Sequence, residues 1–471
     1  LLLCEAGANI KEIHELLWPK GRRRFLVNKQ QKPYKMIPDI PGFDDLCIGG
    51  LIQSGGYGLG TPYHYGSFVN HIRSFCMLIV DDKKKVRKIQ VEPSPENGAI
   101  HDAYKWCRKY PNIQLIQNDS IFHALLVGLG SCGVIYSVFI ELMDAHYLYE
   151  KRYMMSWKQF KHKKWKSIDK KCKNGDIVRL QLYISPYLTY DKRYRESPPV
   201  IINTYEYTEE MPMHNITEKE GGHHRSRDCE RSTILASLLA TRFANKWPRL
   251  VPFILQMSME STCHSGIAIS ASDAILYGNY NIIPTHKSGF GMNASSFTAI
   301  GDDYIRLSNI LRAKCSKQII TQPVALRFSN PGFGLLNFTY NESSVILEQS
   351  LYDFRQSIYF ENEAKMNDND NDNNNNSNSP SNNTNEQLQV CTTTTPKLWH
   401  TLYKIQELCM GEKYKGKPHL GLYFHVDENI WKNHGQQFKE FVQIYKKFNP
   451  HKTFCNAFTK ESGLDKYAGF V

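Results

Sequence analysis

The chain reads as an α+β protein of more than one packed unit, and three observations predict this. Its 471 residues exceed what a single compact core usually organises. Up to about residue 145, β-branched runs alternate with short amphipathic helical segments. Beyond that point the chain turns rich in Tyr, Lys and Arg, and its alternation becomes strand-like, as in IVRLQLYISP at Ile177–Pro186. The apolar share of 41% suits a folded, globular chain.

The elements follow in order. IKEIHELL (Ile10–Leu17) has the spacing of a short amphipathic helix. Pro38 to Gly42 is a loop, and GGLIQSGGYGLG (49–60) then places six glycines in twelve positions. FCMLIV (Phe75–Val80) is a strand. The polar turn Asp81-Asp82-Lys83 leads into VRKIQV, the pattern of a hairpin. His101–Tyr110 is helical. Phe122–Leu126 is a short apolar element, followed by a second glycine turn (Gly128, Gly130, Gly133). The β-branched series Val134, Ile135, Val138, Ile140 then reads as a buried strand. The uncharged run Ala124–Ile140 falls short of the roughly 20 apolar residues of a membrane-spanning helix. Ile234–Phe243 and Val251–Met257 are apolar and helical, split by Pro248. MNDNDNDNNNNSNSPSNNTNE (366–386) cannot bury enough apolar surface to offset chain entropy and is expected to be disordered.

The expected units are 1–145, a second α+β unit at 146–365, an Asn-rich insertion at 366–395 and a C-terminal segment at 396–471. The opening LLLCEAGAN carries no leader pattern and reads as the interior of a domain.

Composition narrows the function. The net charge of +12 raises nucleic acid or an anionic surface as a partner. The basic clusters (Arg22–Arg24, Lys83–Lys85, Lys161–Lys164) are scattered, with no zinc-finger or RNA-recognition signature, so they read as solvated surface. The twelve cysteines form no CxxC pair and no zinc spacing, and they read as thiols, Cys47 as a buried one. No metal site is expected.

Glycine within a folded element costs about 0.5–1 kcal/mol relative to alanine, so a cluster needs a reason. A phosphate loop of the GxxxxGK[ST] type fails for want of a lysine. A GxGxxG dinucleotide loop fails on spacing and on the absence of a following helix. A backbone-lined cradle for a pyrophosphate remains, with amide N–H groups facing the anion. Its candidate residues are Gly49, Gly50, Ser54, Gly55, Gly56, Tyr57, Gly58, Gly60 and Gly66, joined by Gly128, Gly130, Gly133, Val134 and Ile135.

These residues bring a family into view. IPGFDDLCIGGLIQSGGYGLG with YGSFVNHI resembles the flavin-binding segment of the vanillyl-alcohol-oxidase-like FAD oxidoreductases, whose pattern is GGxxxxGGHG followed by a YG turn. VGLGSCGVIYSVFIEL (Val127–Leu142) resembles that family's second hallmark, and AGANIKEIHELLWPKG the helix before the glycines. PVALRF (Pro323–Phe328), KPHLGLYF (Lys417–Phe424) and YKKFNPHKTFCNAF (Tyr445–Phe458) resemble motifs of its sugar-lactone and alditol oxidase branch. The resemblance implies a two-subdomain PCMH-type FAD-binding domain, an α+β cap domain and a C-terminal return segment completing the flavin site. It implies FAD, a small-molecule alcohol substrate and oxygen or another electron acceptor, with no nucleic acid.

The departures bear on the chemistry. The family's PVEVRF glutamate maps to Ala325, and the lysine closing its HWGK motif maps to Leu422; Arg327 and His419 remain, and Tyr57 replaces a histidine. By resemblance Arg327 stabilises negative charge, and His419 or His425 serves as base. Two alternatives stand beside this. One is a bulky-alcohol or sterol oxidase, motivated by the apolar segment Ile234–Met257, which could line an apolar pocket or touch a membrane surface. The other is a flavin-binding relative that has lost catalysis.

Overall fold

The computed structural model describes residues 1–19, 25–39, 41–42, 45–189, 191–210, 239, 247–263, 267–271, 285–314, 320–352 and 396–470. The insertion at 366–395 and most of Ile234–Phe243 lie outside the described residues.

The N-terminal part builds one sheet. Its strands are β1 (Leu2–Glu5), β2 (Ile72–Val80), β3 (Val86–Glu92), β4 (Ile113–Gln117) and β5 (Val134–Ile140), in the order β1-β5-β2-β3-β4. The β2–β3 hairpin forms where the sequence predicts it, with Phe75 opposite Val91 and closure across Asp81. The β3–β4 pair is parallel, so its connection must cross over, and helix α3 (Ala103–Lys109) lies in that connection. Helices α1 (Ile10–Leu17), α2 (Ile48–Gln53) and α4 (Asp119–Leu126) share one core with the sheet, through Ile10, Ile13, Ile48, Ile52, Phe122 and Leu125 against Phe75 and Val138. α1 begins on a capping box between Asn9 and Glu12, which satisfies backbone donors at its start. Two expectations are corrected. Gly49 and Gly50 lie inside α2 rather than in a loop. Cys47, at the N-cap of that helix, is exposed rather than buried.

A second sheet follows, of eight strands: β6 (Tyr147–Ser156), β7 (Arg179–Ile184), β8 (Pro199–Thr208), β9 (Ile267–Ala271), β10 (Thr285–Asn293), β11 (Val324–Ser329), β12 (Ser344–Tyr352) and β13 (Lys417–Pro418). Their order is β9-β6-β8-β7-β11-β12-β10-β13, and every neighbouring pair is antiparallel. Its helices are α5 (Trp165–Asn174), α6 (Val251–Cys263), α7 (Phe297–Lys314), α8 (Pro396–Met410) and α9 (Gly435–Phe448). Strand alternation sorts the residues between two faces. Val324, Leu326 and Phe328 face the helices, where Phe328 meets Trp165 of α5 and Phe297 of α7. Ala325, Arg327 and Ser329 take the opposite face. In the C-terminal segment, α8 packs on β10 while α9 packs on α4, so this segment joins the second sheet to a helix of the first unit.

Candidate functional site

The two glycine-rich stretches, more than seventy residues apart, are held together by Gln53. Its Nε2 donates to the Leu125 carbonyl at 2.8 Å, and its Oε1 accepts the Gly130 N–H at 2.8 Å. Its own carbonyl accepts the Leu129 N–H at 3.1 Å. Gln53 lies inside the glycine stretch itself. A single amide among glycines at a helix end is the signal that would have found it.

The glycines divide by what surrounds them. A Cβ on Gly56 would fall 2.0 Å from a Leu51 methyl, and one on Gly60 would fall 2.4 Å from the Tyr65 carbonyl oxygen. Gly60 also bridges two strands, donating to the Phe328 carbonyl and accepting the Leu180 N–H. Gly66 (φ +110°) abuts the Ser329 backbone, and Gly133 (φ +154°) abuts the Leu78 carbonyl. Gly58 donates to the Gly66 carbonyl. Gly49 is close to Ala6, Gly55 (φ +72°) to Val127, and Gly128 to Gln53. Gly50 and Gly130 have nothing within 4 Å of the Cβ position. Gly56, Gly60, Gly66 and Gly133 are therefore accounted for by packing and Gly130 by its left-handed backbone (φ +68°), whereas Gly50, and the Cβ side of Gly130, border open space. Val134 is exposed on the sheet, and the Ile135 side chain is core.

This division makes a prediction. Gly60→Ala forces a methyl into backbone that cannot move aside and is expected to cost about 3 kcal/mol in chemical denaturation. Gly50→Ala, on a helix with free space beside it, is expected to leave stability unchanged or raise it by up to about 1 kcal/mol.

Over the second sheet, Tyr57 and His419 come down onto a charged group. Glu348 of β12 stands opposite Ala325 on one side and Gly289 of β10 on the other, so small residues flank its carboxylate. Tyr57 Oη donates to Glu348 Oε2. Lys287 Nζ of β10 lies 2.7 Å from Glu348 Oε1, and Arg327 Nη2 lies 3.5 Å from the same oxygen. The His419 ring meets Tyr57 edge-on at 5.2 Å and Phe338 at 4.9 Å. A Cβ on Gly289 would lie 3.0 Å from Leu422 and 3.6 Å from the Tyr57 hydroxyl, so a larger residue there would crowd the cluster.

The electrostatics follow from burial and pairing. Burial alone would raise the Glu348 carboxyl; the Arg327 and Lys287 cations, with the Lys287 and Tyr57 hydrogen bonds, outweigh it and hold it down at about 2. Burial pulls Lys287 down, opposed by Glu348. Burial, then Glu348, pushes the Tyr57 hydroxyl well above its ordinary range, so it stays a donor. Burial lowers His419 to about 4. His419 Nδ1 accepts the Gly421 N–H at 3.1 Å, so the neutral ring carries its proton on Nε2.

Of the three residues expected to be catalytic, Arg327 and His419 therefore meet at one site. His425 does not join them. Its side chain is more than half exposed, stands against Tyr403 and lies 3.9 Å from Asp427. A carboxylate and a lysine reach Arg327 from neighbouring strands. Glu348 is the cross-strand partner of Ala325, and Lys287 lies on β10, against which Leu422 packs. Sequence reasoning missed both. A lone charge in the strand-like run SVILEQSLY was the available signal, because a buried carboxylate needs a cation.

The residues present fit a flavin nucleotide. Open space borders Gly50 and Gly130, and the buried Arg327 Nε and His419 Nε2 atoms have no hydrogen-bond partner among the described residues. Gly421 brings its loop to within contact of Ser54, so the two segments face each other closely. Among the described residues no group of His, Cys, Asp and Glu could hold a metal ion, and no helix is long and apolar enough to cross a membrane.

Comparison with known proteins agrees on the fold. The chain is similar over 98% of its length to the cholesterol oxidase of Brevibacterium sterolicum, at 11% identity and a TM-score of 0.62, covering 80% of that chain. A solvent-stable cholesterol oxidase gives the same TM-score and identity, with 81% of that chain covered. Residues 386–462 match the family model of D-arabinono-1,4-lactone oxidase. No curated protein sequence matches the chain. At this identity what is shared is the architecture: the chain has the bipartite α+β fold, with two sheet-containing subdomains, of these cholesterol oxidases.

Proposed function

We propose that the protein is an FAD-dependent oxidoreductase that oxidises an alcohol at the Glu348–Arg327–Lys287 cluster. The observation that carries this reading is one buried carboxylate held between two cations and a phenol, beneath the glycine-lined segment. FAD, when bound, supplies the hydride acceptor. Gly50, Ser54, Gly55, Tyr57, Gly128 and Gly130 are the residues assigned to hold it.

The chain's own residues manage the proton. A substrate hydroxyl entering the cluster competes for the cations that now hold Glu348 ionised. As the hydroxyl loses its proton, Arg327 and Lys287 neutralise the developing alkoxide. Their hold on Glu348 weakens by the same amount, its affinity for a proton rises, and it takes the hydroxyl proton as a coupled pair with the substrate. His419, neutral and with its lone pair engaged by Gly421, donates from Nε2 and orients the substrate rather than acting as base.

A visible absorption spectrum of the purified protein, incubated with FAD, tests the first half. A retained flavin spectrum is expected, weakened in Gly50→Ala. Anaerobic bleaching by an alcohol tests the second half. Failure to retain FAD would overturn the reading in favour of a non-catalytic relative. The similarity in fold to cholesterol oxidases favours a second reading, in which the alcohol is bulky and apolar. Bleaching by a sterol but by no hydroxyl-rich alcohol would select it.

A further inference from the structure

A second buried ion pair stands where the first unit meets the second sheet, apart from the Glu348 cluster. Asp39, in the loop before α2, and Arg179, at the start of β7, are each 1% exposed, and Arg179 Nη2 lies 3.6 Å from Asp39 Oδ1. His71, directly before β2, places its Nε2 2.8 Å from Asp39 Oδ2. Burial alone would raise the Asp39 carboxyl; the His71 hydrogen bond and the Arg179 charge outweigh it and hold the carboxyl below its ordinary range, with the Gly66 N–H adding to the effect. Arg179 Nη2 also donates to the Pro38 carbonyl at 3.0 Å, and Nη1 to the Val178 carbonyl at 3.1 Å. The guanidinium is fixed by these contacts, with its central carbon 3.7 Å from the centre of the Tyr65 ring. The Tyr65 and Tyr207 hydroxyls share a hydrogen bond of 2.6 Å.

What these groups hold is a strained turn. Tyr65 has φ +62° and Gly66 φ +110°. Glycine adopts left-handed backbone freely. For a bulky side chain it is strained, and it persists only where the surroundings impose it. Here the Arg179 stack and the Tyr207 hydrogen bond, both made by the Tyr65 ring, impose it. The turn supports the site from two sides. The Gly66 carbonyl accepts the Gly58 N–H at 2.8 Å, and Ser67 pairs with Tyr57 in an isolated β-bridge. The Tyr65 carbonyl accepts the Asn330 N–H at 2.8 Å, and Gly66 abuts Ser329, the last residue of β11. Tyr57 and Arg327 are two of the three groups around Glu348, so both lean on one turn.

We propose that Asp39, His71 and Arg179 are positioning residues: they clamp the Tyr65–Gly66 turn in its left-handed form, and the turn sets Tyr57 and Arg327 against Glu348. None of the three touches the reacting groups. In its effect on turnover the clamp rests on the alcohol-oxidation reading; in its effect on the position of Tyr57 it does not.

The test exploits the strain. Tyr65→Ala keeps the cost of left-handed backbone and deletes the ring that opposes it, whereas Tyr65→Gly deletes both. Fluorine NMR of the full chain, with a ring-fluorinated tyrosine in place of Tyr57 and neither flavin nor substrate added, reads the position of that ring. Tyr65→Ala is expected to move or split the resonance, and Tyr65→Gly to restore it. Arg179→Lys, which keeps the charge and loses the flat stacking face, should act as Tyr65→Ala does. In the enzyme incubated with FAD, the acid limb of flavin reduction is set by Glu348 among Lys287, Arg327, Tyr57 and His419. Tyr65→Ala is expected to move it up by about one pH unit, the scale of one hydrogen bond to a charged group. Tyr57→Phe should move it equally, and the double variant no further. Tyr65→Ala and Tyr65→Gly resonances that move alike, or that both stay in place, would overturn the clamp. Limb shifts that add in the double variant would also overturn it, since Tyr65 would then act by another route. If no alcohol reduces the flavin, the oxidation reading falls, while the fluorine measurement still decides the clamp.

Discussion

Glu348→Gln is expected to slow substrate-driven flavin reduction by about 10²–10⁴-fold, the range for loss of a positioned general base. The glutamine preserves size and can still accept from Tyr57, so the change isolates the charge. Two effects compete. Removing the carboxylate leaves Arg327 and Lys287 as buried cations without a counter-ion, which costs stability of about 3–5 kcal/mol in comparable buried pairs. A variant that melts earlier yet retains flavin, with its reduction rate collapsed, places Glu348 in the proton transfer. A variant that retains flavin and reduces at the wild-type rate would remove it. Stopped-flow reduction as a function of pH adds a second readout. The wild-type acid limb reflects Glu348 and its cations together, and it is expected to disappear in Glu348→Gln. Tyr57→Phe, which deletes only one hydrogen bond to the carboxylate, should have a much smaller effect.

The second large effect is on stability in acid. His419 and His434 are both buried, and burial lowers them to about 4 and about 3 respectively, Lys417 adding to the effect at His434. Their folded-state values lie below the unfolded value, so the unfolded chain binds protons first. Stability therefore falls as pH drops below about 6.5 and goes on falling until the folded-state values are reached. Between pH 7.5 and 5.0 each histidine is expected to remove about 2 kcal/mol, the energy of some one and a half pH units at one site. Glu348 behaves with the same sign in a lower window. Its carboxyl is held at about 2, so its contribution is present above about 4.5 and is lost as pH falls from there toward 2. Urea denaturation across pH 5.0–7.5 checks the histidine effect. His434→Gln should roughly halve the slope of stability against pH in that interval, whatever it does to stability at pH 7.5. An unchanged slope would show that the His434 ring is not held neutral by its surroundings.

Much of the architecture was legible because local patterns and tertiary packing agreed. Ile10–Leu17 is helical to the residue, and the Asp81 turn joins the two strands that flank it. The run Val134–Ile140 is a strand, because β-branched residues after a glycine turn favour extended backbone. The glycine stretch was only half legible. Gly49 and Gly50 enter a helix because the flanking Ile48, Leu51 and Ile52 bury together, and that burial overrides glycine's poor helix propensity.

The site divides along the same line. Arg327 and His419 could be named from short motifs, since each motif is contiguous in the chain. The carboxylate and the lysine could not, because they reach the site through strand register. Ala325 and Glu348 are twenty-three residues apart and touch no common motif; β11 and β12 align them as cross-strand partners, and a slip of one residue would turn Glu348 to the other face. By itself, the sequence determined an α+β chain with two glycine turns, a second strand-rich unit and an arginine in a recognisable strand. Only the tertiary structure decided which acid and which lysine stand beside that arginine, and that His425 does not. The physical reason is that pattern and propensity act over a few neighbouring residues, whereas the pairing of buried charges is set by sheet register, which only the assembled fold specifies.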